Sequence, residues 1–494
     1  MSRALGTAAA AQIALFLAGC APAPGTDIVP GRTNLLLVVV DTLRADHLGC
    51  YGYHQPTSPN IDRLASDGIL FKKAISNCSW TRPSMASLLT GSYPRQTGVF
   101  KERFDRLPED VVTLAEMHAA AGYTTCGVTA NPNINSAFGF GQGFASWHDS
   151  DVGWGWMRGM DEMRDAGVRL GAGAELPPAE VVTDRALKLL QGACESPFYL
   201  QLLYIDPHTP YRPPASFEHP LLEGAATDSE WYDAEIAYVD REVGRLVDAV
   251  RTAHPDTLIV VTSDHGEGLG DHPEVAGAAT HGYTLYDSVL HVPLLFQHPA
   301  LEGGRRVEEM VQLLDLVPTV AELLDLRLDP RVRGRSLVSA LHGRPLDAPI
   351  DRVFSETSFK WVDKVSVRED GLKLVVNRDH LLWQAGLRPD LDEDLGGGSK
   401  QKQRLASAIR LSGPVELYRL PGLEHPTHDG VNLADDGAGK ATLARLEAAI
   451  AEFEADVPAR APIGRAAEGA ASSGAVVDET VLRQLEALGY LDGD

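Results

Sequence analysis

Carboxylate and imidazole side chains follow two apolar runs of the chain at the same relative place. Asp41 comes directly after residues 35–40, and Asp264 and His265 come shortly after residues 258–261. Carboxylate oxygens and imidazole nitrogens are common ligands of divalent cations in proteins. We therefore predict that these three side chains bind one divalent metal ion, whose identity stays open among Ca²⁺, Mg²⁺, Mn²⁺ and Zn²⁺.

Thr81 carries a hydroxyl that such an ion would activate. Pro83 suits the first turn of a helix, and Met85, Leu88 and Leu89 give that helix a buried face. Free N–H groups at a helix N-terminus favour sulfate or phosphate groups, and a bound cation lowers the pKa of a neighbouring hydroxyl. Thr81 is therefore a candidate nucleophile and metal contact; the alternative is that it only caps the helix.

Two further histidines are candidates for catalysis. His208 and His281 are interpreted as contacts to the oxygens of a bound anion or as proton donors to a leaving group. The alternative for His208, which stands in the sequence Asp206-Pro207-His208, is a simple turn residue.

The elements around these residues predict an α/β fold. The runs 35–40, 198–204 and 258–261 are continuously apolar, which is typical of strands buried on both faces of a parallel sheet. Between the last two runs, apolar residues recur at the helical spacing of Ile236, Val239, Val243, Leu246 and Val250. We predict a mostly parallel central sheet with helices on both faces, and a site at the carboxyl ends of its strands, where open α/β sheets bind ligands.

The chain divides into five predicted regions. After residue 345 the long apolar runs give way to short strand-like segments around a glycine-rich stretch, which indicates a separate, smaller subdomain. The regions are a lipoprotein signal peptide at 1–19, a lipid-anchored tether at 20–33, a catalytic domain at 34–345, a C-terminal α+β subdomain at 346–460 and a flexible tail with a short helix at 461–494.

The N-terminal residues resemble the export signal of a bacterial lipoprotein. An apolar run at 8–18 ends in Leu17-Ala18-Gly19-Cys20, where Cys20 would carry the lipid. The alternatives are an uncleaved anchor or plain secretion. We expect an exported cell-envelope lipoprotein, on the periplasmic or surface face, that meets the membrane only through this lipid; its four other cysteines form zero to two disulfides.

Composition excludes some classes of function. The sequence has 44 Lys+Arg against 68 Asp+Glu, a formal net charge of −24, and no basic cluster. Nucleic-acid binding depends on clustered positive charge, so we expect no nucleic-acid partner. A hydrophobic content of 44% is ample for a folded core, which excludes a disordered chain.

The order of several motifs resembles the sulfatase family, within the alkaline-phosphatase-like superfamily. The matching segments are Asn34 to Asp46, Cys50 to Tyr53, Ser58 to Ala65, Thr81 to Gly91, Asp206 to Tyr211, Ser263 to Gly270, His281-Gly282, Leu285-Tyr286, Val292 to Leu294 and Asp315 to Thr319. Glu416 to Tyr418 and Asn432 to Ala434 resemble the family's C-terminal region.

The resemblance implies a metal-dependent enzyme that acts on sulfate or phosphate esters of small molecules, glycans or lipids. It implies the alkaline-phosphatase/sulfatase-like fold. By position it implies metal ligands at Asp41, Asp264 and His265, the nucleophile at Thr81, and substrate-oxyanion contacts at His208 and His281.

Three departures from the family pattern bear on the reaction. Typical sulfatases read Cys-x-Pro-Ser-Arg, and that Cys becomes formylglycine, whereas residues 81–85 here read Thr-Arg-Pro-Ser-Met. Thr42 replaces a second Asp after the first strand, and Val128 to Asn131 replace a Lys-Trp-His element. One metal ion is favoured over two, because relatives with two ions need a further Asp/His/His set with a His four residues after an Asp, and Pro210 stands four residues after Asp206.

The Thr nucleophile favours phosphoester chemistry. A formylglycine hydrate releases sulfate by collapsing to the aldehyde, and a sulfated Thr81 has no such route. A phosphorylated Thr81 can be attacked at phosphorus by water or an alcohol. The alternatives are a formylglycine-independent sulfuric ester hydrolase, or a non-catalytic surface lipoprotein with the same fold.

Overall fold

The computed structural model of the chain describes residues 27–100, 105–149, 177–271, 280–347, 349–359, 362–369, 371–378, 414–420 and 439–460. Five predicted features lie outside the described residues: the signal peptide, the first part of the tether at 20–26 with the lipid-bearing Cys20, the tail at 461–494, the glycine-rich stretch at 396–398 and the element at 432–434. None of the helices in the described ranges has the length and apolar character needed to cross a membrane.

In the described part of the chain, the central sheet has eight strands. They are β1 (Asn34–Val40), β2 (Ile69–Ile75), β3 (Thr124–Thr129), β4 (Ser146–His148), β5 (Phe198–Tyr204), β6 (Thr257–Thr262), β7 (His291–Gln297) and β8 (Arg305–Gln312). Their spatial order is β4-β3-β5-β1-β6-β7-β2-β8. Neighbouring strands are parallel except where β7 pairs with β6 and with β2.

The three predicted strands lie side by side at the centre of this sheet. β1 pairs in parallel with β5 on one edge and with β6 on the other, and every residue of the three strands is buried. Because successive side chains of a strand point to opposite faces, this burial means that both faces are covered. The predicted fold class, a mostly parallel α/β sheet with a smaller C-terminal α+β part, is confirmed.

Helices cover this sheet. Their bounds are α1 (Pro59–Asp67), α2 (Thr81–Thr90), α3 (Pro94–Thr97), α4 (Leu114–Ala120), α5 (Ala179–Leu190), α6 (Asp228–Ala253), α7 (Asp287–Leu290), α8 (Leu316–Leu324), α9 (Val338–Leu341) and α10 (Lys440–Asp456). A capping box starts α6, because the Thr227 hydroxyl accepts from the N–H of Glu230 and the Glu230 carboxylate accepts from the N–H of Thr227. The apolar pattern that predicted α6 is buried along its length, and this helix prediction is confirmed.

A second sheet braces the chain that leads to Thr81. It consists of the antiparallel strands β9 (Val353–Phe359), β10 (Val362–Glu369), β11 (Leu372–Asn377) and β12 (Val415–Arg419), in the order β12-β11-β10-β9. The N–H of Glu356 donates to the Asn77 carbonyl at 3.0 Å, and the Ser355 hydroxyl donates to the Ser76 carbonyl at 2.7 Å. The C-terminal sheet therefore fixes the segment that runs from β2 to α2.

The described end of the predicted tether is attached to the α/β domain that contains the central sheet. The N–H of Gly31 donates to the Tyr123 hydroxyl at 3.1 Å, and the Thr33 hydroxyl donates to the Asp256 carboxylate at 3.0 Å. This segment is therefore held against the domain surface and is not a free linker.

The four described cysteines are buried free thiols: Cys50, Cys78, Cys126 and Cys194. Of the predicted range of zero to two disulfides, the structure has zero among these residues. The Cys126 thiol instead faces the carbonyl of Ala193, at 3.9 Å.

A buried ion pair joins α3 to the C-terminal sheet, and we expect the loss of its cation to destabilise the fold strongly. Arg95 lies 2.6 Å from the fully buried carboxylate of Glu356. Removing the cation leaves this carboxylate buried without its partner, which costs about 3–5 kcal/mol in such pairs. We therefore expect Arg95→Met to lower the midpoint of thermal unfolding markedly.

The matched control is Arg63→Met, which removes an exposed pair with Asp248 of similar length, 2.8 Å. Exposed pairs contribute at most about 1 kcal/mol. Equal unfolding midpoints for the two variants in calorimetry would contradict the bracing role of Arg95.

Candidate active site

The side chains predicted to bind a metal come together at the carboxyl ends of β1 and β6. Asp41, Asp264 and His265 are fully buried. His265 Nε2 lies 3.6 Å from Asp41 Oδ1 and 3.4 Å from Asp264 Oδ2. His265 Nδ1 donates to the carbonyl of Gly266 at 2.9 Å, which leaves a lone pair on Nε2.

The two buried carboxyl groups, of Asp41 and Asp264, would be stabilised by a nearby cation. Asp41 Oδ1 and Asp264 Oδ2 are buried and make no hydrogen bond within the described residues. Burial, and then the proximity of Asp264, raises the pKa of Asp41 well above its usual range, and burial raises the pKa of Asp264. Burial also lowers the pKa of His265 to about 4. One divalent cation would satisfy both oxygens and offset their repulsion, so the donor set fits a metal ion.

Thr81 lies beside this group. It is the first residue of α2, and the preceding residue, Trp80, occupies the capping position. The Thr81 hydroxyl oxygen is 3.3 Å from His265 Nε2. One turn along the helix, the Ser84 hydroxyl donates to the Asp264 carbonyl at 2.6 Å and ties α2 to the loop after β6. The alternative that Thr81 only caps the helix does not hold, because it lies inside the first turn.

Asn131 is a site residue that the sequence analysis did not identify. It follows β3, and its amide nitrogen donates to Asp41 Oδ2 and lies 3.4 Å from the Thr81 hydroxyl oxygen. Its amide oxygen accepts from the N–H of Asn133 at 2.8 Å, which fixes the amide group. The sequence analysis presented Asn131 only as part of a departure from the family; its place two residues after the end of β3 was the signal that would have identified it.

Arg82, the neighbour of Thr81, and Thr42, one of the departures from the family pattern, also have structural consequences. Arg82 donates to the Asn133 carbonyl at 3.2 Å and lies 3.7 Å from the centre of the Phe138 ring, so it supports the loop that carries Asn131. Thr42 has a φ of 55°, which is unusual for a β-branched residue. Its N–H donates to Asp264 Oδ1 at 3.3 Å, so this strained backbone links the loop of Asp41 to the loop of Asp264.

The structure places His208 and His281 next to His265 and the two buried acids. The ring of His281 lies 4.6 Å from that of His265 and 4.8 Å from that of His208, measured between centroids. His281 Nδ1 is 3.2 Å from the buried carboxylate of Glu267, and His208 Nδ1 donates to the Thr209 carbonyl at 2.7 Å. Burial lowers the pKa of His208 to about 4, so this imidazole is neutral at neutral pH.

One helix, α6, holds the loops that carry the site. The Tyr232 hydroxyl donates to the Thr42 carbonyl at 2.7 Å and accepts from the N–H of Arg44. The Asp240 carboxylate accepts from the N–H of Ile61 at 2.8 Å, at the start of α1. Polar residues on the buried face of α6 therefore fix the backbone that surrounds Asp41.

Comparisons with known proteins agree with this architecture. The sulfatase family model matches residues 33–326. Human iduronate 2-sulfatase is 28% identical to this chain, and the match covers 60% of this chain and 70% of the human protein. A multifunctional alkaline phosphatase superfamily protein, PehA, of Trinickia caryophylli is 27% identical, and the match covers 64% of this chain and 78% of PehA. The crystal structure of a phosphonate monoester hydrolase of Agrobacterium radiobacter superposes with a TM-score of 0.66 at 21% identity, covering 86% of this chain and 96% of that one.

The fold and the convergent buried acids, histidines and hydroxyl define an ester-hydrolysing enzyme of alkaline-phosphatase-like architecture. The chain belongs to the sulfatase family, whose model covers more than half of its length.

The charge of the site predicts metal binding. We expect chelator-stripped protein to bind one divalent ion per chain in calorimetry, and the ion to raise the unfolding free energy by about 2.7 kcal/mol at 100 times its Kd. Asp264→Asn should weaken binding at least tenfold, because it removes one of the two charges. Asp256→Asn, at a carboxylate remote from the site, is the matched control, and failure of the unsubstituted protein to bind any ion would refute the assignment.

The contacts of Asn131 predict a role in turnover. Asn131→Ala removes the donor to Asp41 and the amide beside Thr81, and loss of one such donor costs about 10²-fold or more in kcat in comparable sites. Initial rates on the best ester substrate would measure the loss. Asn135→Ala, in the same loop, changes only a local cap, and it should keep a rate near that of the unsubstituted protein. A similar rate for both variants would exclude Asn131 from the reaction.

Proposed function

We propose that this enzyme cleaves phosphate-type esters with Thr81 as the nucleophile. The observation that carries the proposal is the position of the Thr81 hydroxyl oxygen, which lies 3.3 Å from His265 Nε2 and 3.4 Å from Asn131 Nδ2. The N–H groups in the first turn of α2 add positive potential at the same place. These groups favour a nucleophilic oxygen and the negative oxygens of a bound phosphoryl group.

Asp41, Asp264 and His265 are the residues that would hold the cation, with Thr81 beside them. When bound, a divalent ion lowers the pKa of an adjacent hydroxyl and offsets negative charge on the substrate. In the first step the Thr81 hydroxyl gives its proton to solvent, and its oxygen forms a bond to phosphorus while the bond from phosphorus to the ester oxygen breaks.

The histidines serve the leaving group and the phosphoryl oxygens. The Glu267 carboxylate beside His281 Nδ1 stabilises charge on that imidazole, so His281 is the better proton donor to the departing oxygen. His208, neutral at neutral pH, contacts the substrate. Water or an acceptor alcohol then attacks phosphorus in the phosphorylated Thr81, and the freed hydroxyl is ready for another cycle.

Two observations bear on the choice of ester. Structures of phosphonate monoester hydrolases are among the neighbours of this fold, and Thr81 suits phosphoryl transfer because its ester can be resolved at phosphorus. Several relatives are named sulfatases, including a delta 4,5-hexuronate-2-O-sulfatase of Bacteroides thetaiotaomicron at 26% identity. A sulfated glycan or small molecule is therefore the second candidate substrate class.

The role of Thr81 predicts a sharp difference between two substitutions. Thr81→Ala removes the attacking oxygen, so we expect kcat to fall at least about 10³-fold, as for loss of a covalent nucleophile. Thr81→Ser keeps the hydroxyl and should retain most of the rate. Initial rates on a panel of aryl phosphate monoesters, diesters, phosphonate monoesters and sulfates would test this.

The results of that panel distinguish phosphoester cleavage from sulfate-ester cleavage and test whether Thr81 is the nucleophile. Phosphoester turnover that depends on the hydroxyl supports the proposal, and hydroxyl-dependent turnover restricted to sulfates replaces it with the sulfatase reading. Equal rates for Thr81→Ala and the unsubstituted protein would show that Thr81 is not the nucleophile.

A further inference from the structure

Two buried acids outside the metal site, Asp206 and Glu235, hydrogen-bond to each other through their side chains. Asp206 Oδ2 and Glu235 Oε2 are both buried and have no donor among the described residues. Ionised carboxylates only accept hydrogen bonds, so a hydrogen bond between two carboxyl groups requires one proton that they share. A shared proton supplies the donor that both oxygens lack.

Glu235 holds both ends of the segment that carries His208. Asp206, at one end, makes the carboxyl contact. At the other end the N–H of Arg212 donates to Glu235 Oε1 at 2.5 Å. Because Glu235 lies in the middle of α6, it attaches this segment to the same helix that fixes the loops after β1.

The same segment reaches the second catalytic histidine. The Tyr211 hydroxyl hydrogen-bonds to Glu267, the carboxylate that lies 3.2 Å from His281 Nδ1. A displacement of the segment therefore changes the surroundings of both His208 and His281.

We propose that Glu235 is a positioning residue for His208, and that it holds the His208 segment only while it shares a proton with Asp206. The inference rests on the proposed function, since His208 contacts the substrate there. Loss of the proton leaves two adjacent negative charges, and the segment from Asp206 to Arg212 moves away from α6.

The surroundings of Asp206 and Glu235 determine the pH at which the pair loses its shared proton. Burial raises the pKa of Asp206 to about 6, and burial, followed by Asp206, raises the pKa of Glu235 well above its usual range. The titratable groups that face the pair are Glu242 and Tyr238 of α6 and Tyr204 of β5, and the N–H of Ala179 at the start of α5 donates to the Asp206 carboxylate. The nearby cation Arg245 pairs with Glu242, at 2.7 Å.

The direction of the pH effect follows from these shifts. Both carboxyl groups bind their proton more tightly in the folded chain than in the unfolded chain. The pair's contribution to stability is therefore complete at low pH and is lost as the pH rises through the folded-state pKa values. Catalysis falls over the same range, because a misplaced catalytic group slows turnover by up to about 10²-fold.

The substitution Glu235→Gln tests whether the shared proton, and not merely the contacts of the side chain, holds the segment in place. The amide donates to the ionised Asp206 and accepts from the N–H of Arg212, so it keeps both contacts without a shared proton. We expect the unsubstituted metal-loaded protein to lose about tenfold or more in kcat at alkaline pH, with a smaller change in KM, and Glu235→Gln to lack this loss. Asp233→Asn, at another buried acid of the same helix whose carboxylate pairs with His47, should keep the alkaline loss.

Thermal unfolding across the same pH range gives a readout that needs no turnover. The unfolding midpoint of the unsubstituted protein should fall relative to that of Glu235→Gln as the pH rises. If the unfolding midpoints of the two proteins change in parallel with pH, the shared proton is refuted. If the midpoints diverge but the two proteins have the same dependence of kcat on pH, the positioning role of Glu235 is refuted. If the unsubstituted protein cleaves no ester, the proposed function fails, and the midpoint curves alone decide whether the proton is shared.

Discussion

Two like charges buried at one point are the constraint around which this structure is organised. Asp41 and Asp264 present carboxylate oxygens to the same space, and neither of these oxygens meets a donor among the described residues. Two buried carboxylates are costly unless a positive charge accompanies them. The amide of Asn131 donates to Asp41, and the divalent cation that we propose at Asp41, Asp264 and His265 would offset the remaining charge. The same positive potential would favour the nucleophilic oxygen that we propose on Thr81.

Rigid elements on several sides hold this unfavourable arrangement in place. The central strands deliver Asp41 and Asp264 to one edge of the sheet, and α6 fixes the backbone after β1 through Tyr232. The C-terminal sheet fixes the segment before Thr81 through Ser355. The positive φ of Thr42 is tolerated because contacts on both sides determine its backbone. Contacts far from Thr81 in the sequence therefore determine the geometry at its hydroxyl.

Much of this was predictable from the sequence, for identifiable reasons. The continuous apolar runs of β1, β5 and β6 predicted a buried parallel sheet, and parallel strands bring their carboxyl ends to one edge, so Asp41, Asp264 and His265 were predicted together. Asn131 was missed because a neutral amide carries no chemical signal by itself; its role comes from two partners distant in sequence. The pairing of Asp206 with Glu235 was equally hidden, because it depends on how β5 and α6 pack.

The central claim, that Thr81 forms a covalent bond to the substrate, is tested most directly by trapping that bond. The metal-loaded enzyme would be mixed with an excess of its best ester substrate, quenched in acid and digested for peptide mass spectrometry. The account predicts a phosphoryl group on the peptide containing Thr81, located on that residue by fragmentation and absent when substrate is omitted. Steady turnover with an unmodified Thr81 at every quench time, or a modification on another residue, would contradict it.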